Sequence, residues 1–231
     1  MQTKRHASKK VLVSILALFA LVFTAFTAAH ATTIVETASI PYTGTDWSNS
    51  LSFGLFNSSL GTLTGVTLVL TSDLSTVITV TNGDTSPSTG SAYTYVVTTV
   101  TGSGITIAPL TNVSPPTPAG IWSTAYNYSL AAGANSTSGT LTGTATSNNS
   151  YTSGLSAFTG VGDLTLPASV VAHTALYNTG GNSTESQVTN ADLYGTLTYT
   201  YTPAPVPLPS ALLLLGPGLF GLAGLRRKFK G

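Results

Sequence analysis

The sequence predicts an all-β protein: a single antiparallel β-sandwich of jelly-roll type, flanked by an N-terminal signal helix and a C-terminal transmembrane helix. Three observations predict this architecture. Apolar and polar residues alternate through the middle of the chain, turn-forming residues separate the alternating runs, and the charged side chains are segregated along the sequence. The eight Lys and Arg residues occupy only two short stretches, 4–10 and 226–230, and all seven Asp and Glu residues lie between them.

Composition excludes several classes of protein. Charged residues make up 6% of the 231 residues, whereas about 25% is usual for a soluble domain. Residues 11–225 contain no Lys or Arg, so the body of the chain lacks the cations that bind phosphates, and we expect no nucleic-acid partner. The chain also contains no cysteine, which excludes a disulfide-stabilised scaffold.

Residues 1–31 have the pattern of a secretory signal peptide. A basic stretch, 4–10, precedes the apolar stretch 11–26, and Ala29 and Ala31 supply the small side chains that signal peptidase requires. The apolar stretch is shorter than the ~20 residues that a membrane-spanning helix needs. We therefore expect cleavage by signal peptidase after Ala31, with an uncleaved membrane anchor as the alternative.

The C-terminal end contains three consecutive elements. Residues 203–209 form a proline-rich spacer, residues 210–225 are uncharged, and residues 226–231 form a basic tail. Counted from Leu208, the apolar stretch has 18 residues, just long enough for the transmembrane helix that we expect at 210–225. Glycine and proline within 210–225 would disfavour a soluble helix but are better tolerated in lipid. The basic tail is expected to stay on the cytoplasmic side.

This C-terminal end resembles the PEP-CTERM sorting signal of bacterial surface proteins. The motif residues are Val206, Pro207, Leu208 and Pro209, a Val-Pro-Leu-Pro variant in which leucine stands where the family usually has glutamate. The basic residues that close the signal are Arg226, Arg227, Lys228 and Lys230. The resemblance implies recognition by an exosortase-like transpeptidase, an intermediate anchored in the inner membrane of a Gram-negative bacterium, and final placement at the cell surface or in an extracellular matrix rich in exopolysaccharide. A plain C-terminal anchor that is never processed is the alternative.

Residues 32–202 predict the β-sandwich domain. Period-two alternation is typical of half-buried strands, and it is clearest in 51–55, 93–97 and 193–202. The abundant threonines suit a pleated surface, and we expect them to form its wettable face. The segment Asn82-Gly83-Asp84 predicts a tight hairpin, because Asn and Gly both adopt positive φ.

The body resembles the choice-of-anchor domains of bacterial surface proteins, with type E as the nearest match. Four landmarks carry the resemblance in order along the chain: 46–51, 60–68, 158–166 and 197–203. It implies a location at the cell surface and carries over no catalytic residue.

The sequence predicts no catalytic residue. His173 is the only histidine between residues 32 and 202, and no nucleophile motif accompanies it. We therefore interpret it as a strand residue rather than a general base. Zinc is disfavoured because zinc sites need several His or Cys ligands.

The carboxylates and the aromatic residues are the remaining candidates for binding. We expect no cofactor; Asp73, Asp84 and Asp163 lie beside predicted turns and are weak candidates for calcium, although solvated turn caps explain them better. The aromatic residues could stack on sugar rings, but we expect most of them to fill the sandwich core. The aromatic candidates are Trp47, Trp122, Tyr93, Tyr95, Tyr199 and Tyr201.

Together these features predict an exported, non-enzymatic protein of the cell surface or extracellular matrix, associated with exopolysaccharide. The first alternative is a calcium- or carbohydrate-binding module. The second is an enzyme that acts on polysaccharides.

Overall fold

The computed structural model describes residues 30–113 and 118–205. Ala31–Thr202 forms one compact unit. Ten strands and two short 3-10 helices, Ser58–Leu60 and Leu155–Phe158, make up this unit. The strands are β1 Thr32–Gly44, β2 Trp47–Gly54, β3 Gly61–Asn82, β4 Ser88–Val100, β5 Ile121–Trp122, β6 Tyr126–Leu130, β7 Asn135–Thr137, β8 Leu141–Tyr151, β9 Asp163–Thr179 and β10 Ser183–Pro203.

The strands form two five-stranded sheets, and the predicted antiparallel β-sandwich is confirmed. In the first sheet the order is β1, β10, β3, with β8 and β7 both pairing along the far edge of the long strand β3. In the second sheet the order is β2, β9, β4, with β6 and β5 both pairing along the far edge of β4. Strands β1 to β4 therefore alternate between sheets, as do β9 and β10. This arrangement is that of a jelly roll.

The connection at Asn82-Gly83-Asp84 differs from the predicted hairpin. Strand β3 belongs to the first sheet and β4 to the second, so the segment between them crosses from one sheet to the other. Asn82 is fully buried and its Nδ2 donates hydrogen bonds to the carbonyl oxygens of Ser86, at 2.8 Å, and Ala131, at 3.0 Å. The asparagine thus holds the crossover together through its side chain, and the prediction of a tight hairpin is wrong.

The interior between the sheets contains two apolar clusters. The larger one includes Leu51 and Leu166 of the second sheet and Leu70 and Leu193 of the first. The smaller one has five buried members: Ile78, Val80, Ala92, Tyr128 and Leu130. Burial of these side chains is the main favourable contribution to folding.

Buried hydroxyl groups separate the two clusters. Thr76 of β3 lies between Leu74 of the larger cluster and Ile78 of the smaller one. Its Oγ1 lies 3.1 Å from Thr94 Oγ1 of β4 and 2.8 Å from Thr189 Oγ1 of β10, so hydrogen bonds connect the two sheets through the interior. Thr76, Thr94 and Thr189 are therefore buried, whereas the sequence predicts threonines on a wettable face.

The described residues contain no helix that is long and apolar enough to span a membrane. The predicted signal stretch 11–26 and the predicted transmembrane segment 210–225 lie outside the described residues.

Candidate functional site

Most residues of the predicted sorting signals lie outside the described part of the chain. This holds for Ala29, for Val206, Pro207, Leu208 and Pro209, and for Arg226, Arg227, Lys228 and Lys230. Ala31 is described: it is exposed and directly precedes β1.

The three calcium candidates occupy separate places in the fold. Asp73 lies in the middle of β3 and not beside a turn as predicted, and its carboxylate accepts a hydrogen bond from Thr144 of β8. Asp84 lies in the crossover after β3, where its Oδ1 accepts a 2.6 Å hydrogen bond from the backbone N–H of Thr85. Asp163 begins β9, and its Oδ2 accepts a 3.1 Å hydrogen bond from Ser52 Oγ. Within 30–113 and 118–205, no three His, Asp or Glu side chains group closely enough to hold a metal ion.

Asp73 has one acidic neighbour, Asp192 of β10. The backbone N–H of Asp73 donates a 2.8 Å hydrogen bond to Asp192 Oδ1. Partial burial raises the pKa of Asp192, and the negative charge of Asp73 adds to that rise, while the backbone hydrogen bonds oppose it. The pKa of the nearby Tyr42 is raised as well, chiefly by burial and then by the charges of Asp192 and Asp73. This part of the first sheet is therefore a small acidic surface.

His173 lies on β9 and is exposed, in agreement with its interpretation as a strand residue. Its ring stacks on the ring of Tyr95 of β4, with 4.9 Å between ring centroids and 23° between planes. The contact with Tyr95 places His173 in a group of aromatic residues.

This group, which we call the aromatic ladder, consists of Trp122, Tyr95, His173, Tyr93 and Tyr177. Tyr95 lies directly opposite Trp122 of β5 on one side and His173 of β9 on the other. Its ring stacks on that of Trp122 with 4.6 Å between centroids and 15° between planes. Tyr93 makes edge contacts, at 6.0 Å between centroids, with both Trp122 and Tyr177. The ladder thus runs across three strands of the second sheet.

Strand alternation places the ladder on the outer face of that sheet. In β4 the side chains of Ala92, Thr94 and Val96 are buried, whereas Tyr93 and Tyr95 are half-buried and point the other way. Tyr177 is 61% exposed. The expectation that aromatic residues fill the core holds for Tyr199, which is buried, but it is wrong for the ladder.

The short strand β5 is fixed by an asparagine. The backbone N–H of Trp122 donates to Asn112 Oδ1, and Asn112 Nδ2 donates to the carbonyl oxygen of Trp122, both at 2.9 Å. The indole Nε1 donates to the carbonyl oxygen of Pro118 at 3.1 Å. Trp122 is therefore held at one end of the stack by backbone and side-chain contacts together.

A cavity of about 220 Å³ lies beside the ladder, between residues 97–100 of β4 and residues 107–110. Ligand pockets usually have volumes of about 300–1,000 Å³. The residues that line this cavity are aliphatic apart from two threonines, and none of them titrates. The cavity therefore offers a ligand fewer groups to bind than the aromatic ladder does.

The sequence pointed to parts of the ladder separately. It singled out Trp122, Tyr93 and Tyr95 as aromatic residues and His173 as a lone histidine. The pairing of β4 with β5 and β9 brings these residues together with Tyr177, and this long-range pairing has no local signal in the sequence.

Comparisons with known proteins assign no family. No protein-family model matches the chain, and no curated protein matches it. Among solved structures, that of the infectious bursal disease virus Gt strain is 11% identical, with 85% of this chain and 49% of that chain covered and a TM-score of 0.14. The corresponding figures for the Gx strain of the same virus are 9%, 76%, 42% and 0.14. The chain spans about half or less of the length of these structures, and TM-scores this low carry no functional argument.

Proposed function

We propose that this chain is an exported, non-enzymatic protein of the cell surface or extracellular matrix of a Gram-negative bacterium, sorted through its PEP-CTERM-like C-terminal signal. The observation that carries the proposal is the segregation of charge. The eight cations lie in 4–10 and 226–230, each next to an apolar stretch, and the intervening chain has seven anions and no Lys or Arg. Such basic flanks are typical of signal peptides and of membrane stop sequences.

The described body suits this role. It has its own core between two sheets, and many of the side chains on the outer face of the first sheet are hydroxyls that can hydrogen-bond water or glycans.

Two processing steps belong to the proposal. Signal peptidase cleaves after Ala31, and an exosortase-like transpeptidase recognises residues 206–209 while residues 210–225 hold the intermediate in the inner membrane. The first cleavage would leave β1, which begins at Thr32, intact at the new N-terminus.

The intact mass of the protein isolated from its native host tests both steps. We expect a mass that lacks residues 1–31 and the segment that follows the 206–209 motif. The double variant Pro207→Ala/Pro209→Ala should accumulate in the inner membrane with its C-terminal tail retained. Pro205→Ala, which changes a proline of the same spacer outside the motif, should be processed like the wild type. Full-length protein in the cytosol, with Met1 and Gly231 both present, would contradict the proposal.

One observation favours the carbohydrate-binding alternative as a second candidate. The aromatic ladder lies on the outer face of a sheet with two of its rings, His173 and Tyr177, exposed, and rings of this kind are what sugar-binding surfaces use.

A further inference from the structure

We propose that the aromatic ladder is a binding site for a neutral polysaccharide, whose pyranose rings pack against the open faces of His173 and Tyr177. This names the class of ligand that the proposed surface protein would bind. It rests on the proposed function only for the location, the cell surface or matrix, at which the protein would meet the polysaccharide.

The stacking pattern determines which ring faces are open. Trp122 and His173 cover the two faces of the Tyr95 ring, so neither face of this central ring is available to a ligand. His173 is the terminal ring of the stack on the β9 side, and it is exposed. Tyr177 is 61% exposed and meets Tyr93 by an edge contact, at an interplanar angle of 81°. The surface available to a ligand is therefore at the β9 side of the ladder.

The spacing along β9 separates the two exposed rings. His173 and Tyr177 are four residues apart on the same face of the strand, which corresponds to about 13 Å between their Cα atoms. Ala175 stands between them on that face, and Tyr93 of β4 lies directly opposite Ala175 and makes an edge contact with the ring of Tyr177. Because His173 stacks on its cross-strand partner Tyr95, the open face of the imidazole points across the sheet and not along β9. His173 and Tyr177 would therefore contact separate sugar units of one polysaccharide chain.

Polar groups border the aromatic surface. Ser91 lies opposite Tyr177 in the register of β4 and β9, and its Oγ donates a 2.7 Å hydrogen bond to Asn127 Oδ1 of β6. Asn127 is exposed, and this bond orients its amide nitrogen as a donor at the surface. Hydroxyl groups of a sugar accept from such donors while the C–H face of the ring packs on an aromatic side chain.

The negative charge of the described residues favours a neutral polysaccharide over an acidic one as the ligand. The seven carboxylates of the chain all lie within the described residues, which include no Lys or Arg. An acidic polysaccharide would be repelled and would find no cation to pair with. Two copies of the body would also repel each other and form no ion pairs, so the sign of the charge disfavours a second copy as the occupant.

Affinity electrophoresis of purified residues 32–205 tests the site, because this part of the chain has its own core and carries the seven carboxylates without the Lys and Arg residues of the two ends, which would bind acidic polymers. The gels contain hydroxyethylcellulose, dextran, galactomannan or xylan as neutral probes, and alginate or polygalacturonate as acidic probes. We expect at least one neutral polymer to retard the protein and the acidic polymers to leave its mobility unchanged. His173→Ala and Tyr177→Ala should each weaken the retardation about threefold to tenfold, the range expected for losing one ring contact.

The matched control is Tyr194→Ala. Tyr194 is 47% exposed on β10 of the other sheet, so its removal should leave binding unchanged. Tyr177→Phe keeps the ring and should bind within about twofold of the wild type, which separates ring stacking from any effect on folding. Equal melting temperatures of the variants complete the control.

Several outcomes would overturn the inference. These are retardation by none of the neutral polymers, retardation by acidic polymers alone, an equal loss of binding in Tyr194→Ala, or dimerisation that His173→Ala and Tyr177→Ala abolish. The assay uses purified protein, so a failure here leaves the export proposal standing, and a failure of the mass measurement leaves this inference standing.

Discussion

The outer faces of the two sheets are built from the same alternating strands but present different chemistry. On the first sheet, hydroxyl groups pair across strands, as Thr71 with Thr146 at 3.1 Å and Thr79 with Thr137 at 2.9 Å. On the second sheet, the aromatic ladder occupies the corresponding cross-strand positions. The first face is a solvated surface, and the second is a surface on which a ligand can pack.

The difference shows what alternation determines and what register determines. Alternation decides that Tyr95 and Thr71 both point away from the core. Register decides that Tyr95 meets two rings whereas Thr71 meets another hydroxyl. Stacked aromatic pairs and pairs of exposed hydroxyl groups contribute different amounts to stability. Substitutions on the two outer faces should therefore lower the free energy of unfolding by different amounts.

The largest expected effect comes from the close approach of β4 to β9 beneath one end of the ladder. A Cβ at Gly90 would overlap the carbonyl oxygen of Tyr177 and would lie 2.7 Å from Tyr128 Oη. Gly90→Ala should therefore lower the free energy of unfolding by about 3 kcal/mol, at the upper end of overpacking costs, as measured by urea denaturation.

Gly139→Ala is the matched control, since a Cβ there has no neighbour within 4 Å. Its effect should stay within about 0.5 kcal/mol. Equal effects of the two substitutions would show that β4 and β9 are not packed as described.

The next largest effect compares the two faces directly. Tyr95→Ala removes two stacked ring contacts and should cost about 2 kcal/mol of unfolding free energy. Thr71→Ala removes one exposed hydrogen bond between hydroxyl groups and should lower the free energy of unfolding by about 0.3 kcal/mol. Thermal or urea denaturation of both variants measures the contrast, and equal costs would contradict it.

A smaller effect is expected at the contact that joins the sheets near Tyr199. Its hydroxyl donates a 2.7 Å hydrogen bond to the carbonyl oxygen of Gly54, linking β10 of the first sheet to β2 of the second. Tyr199→Phe should cost about 1 kcal/mol at neutral pH, the usual net value of one hydrogen bond.

The same residue makes stability depend on alkaline pH. Burial, assisted by the charge of Glu36, raises the pKa of Tyr199 from 10.0 to about 12. Because the folded-state pKa is the higher one, the contribution of the protonated hydroxyl is complete below pH 10 and is lost as the pH rises through about 12. In Tyr199→Phe the fall of melting temperature over this interval should be shallower than in the wild type, and an unchanged slope would refute the assignment.

The smallest effect belongs to the acidic surface of the first sheet. The raised pKa of Asp192 means that its ionised form is disfavoured in the folded state, so its contribution to stability is complete below its ordinary value of 3.8 and is lost as the pH rises through the folded-state pKa. Asp192→Asn should be more stable than the wild type at pH 7 by about 0.5 kcal/mol or less, because solvent screens a partly exposed charge. Melting curves should show this gain vanish below about pH 4. A gain that is independent of pH would contradict the electrostatic cause.

Much of the fold was predictable from local pattern. The run Leu193–Thr202 alternates over ten residues in sequence and lies within β10, with Leu193, Leu197 and Tyr199 buried. The hairpin predicted at Asn82–Asp84 is wrong, because turn residues favour a change of direction without specifying which sheet the next strand joins. The buried hydroxyl group of Thr76 has no signal in the sequence, since threonine suits a strand whether its partner is water or another buried threonine.

The candidate site was predictable only in part. Tyr93 and Tyr95 share a strand face by simple alternation, and this is visible in the sequence. The side of the sandwich to which that face belongs depends on the neighbouring strands, and so does the placement of His173 and Tyr177 beside it. Register between strands far apart in the chain sets both.

Tryptophan fluorescence gives the most direct test that the second sheet's outer face is the ligand surface. The chain has two tryptophans, so Trp47→Phe/Trp122→Phe removes both indoles; adding Tyr177→Trp to this background places one indole at the open end of the ladder, and adding Tyr194→Trp instead places one on the outer face of the other sheet. Titration with the neutral polysaccharide that retards the protein in gels should shift the emission of the Tyr177→Trp protein saturably and leave that of the Tyr194→Trp protein unchanged. A shift confined to the Tyr194→Trp protein, or none in the Tyr177→Trp protein while binding persists, would contradict the assignment.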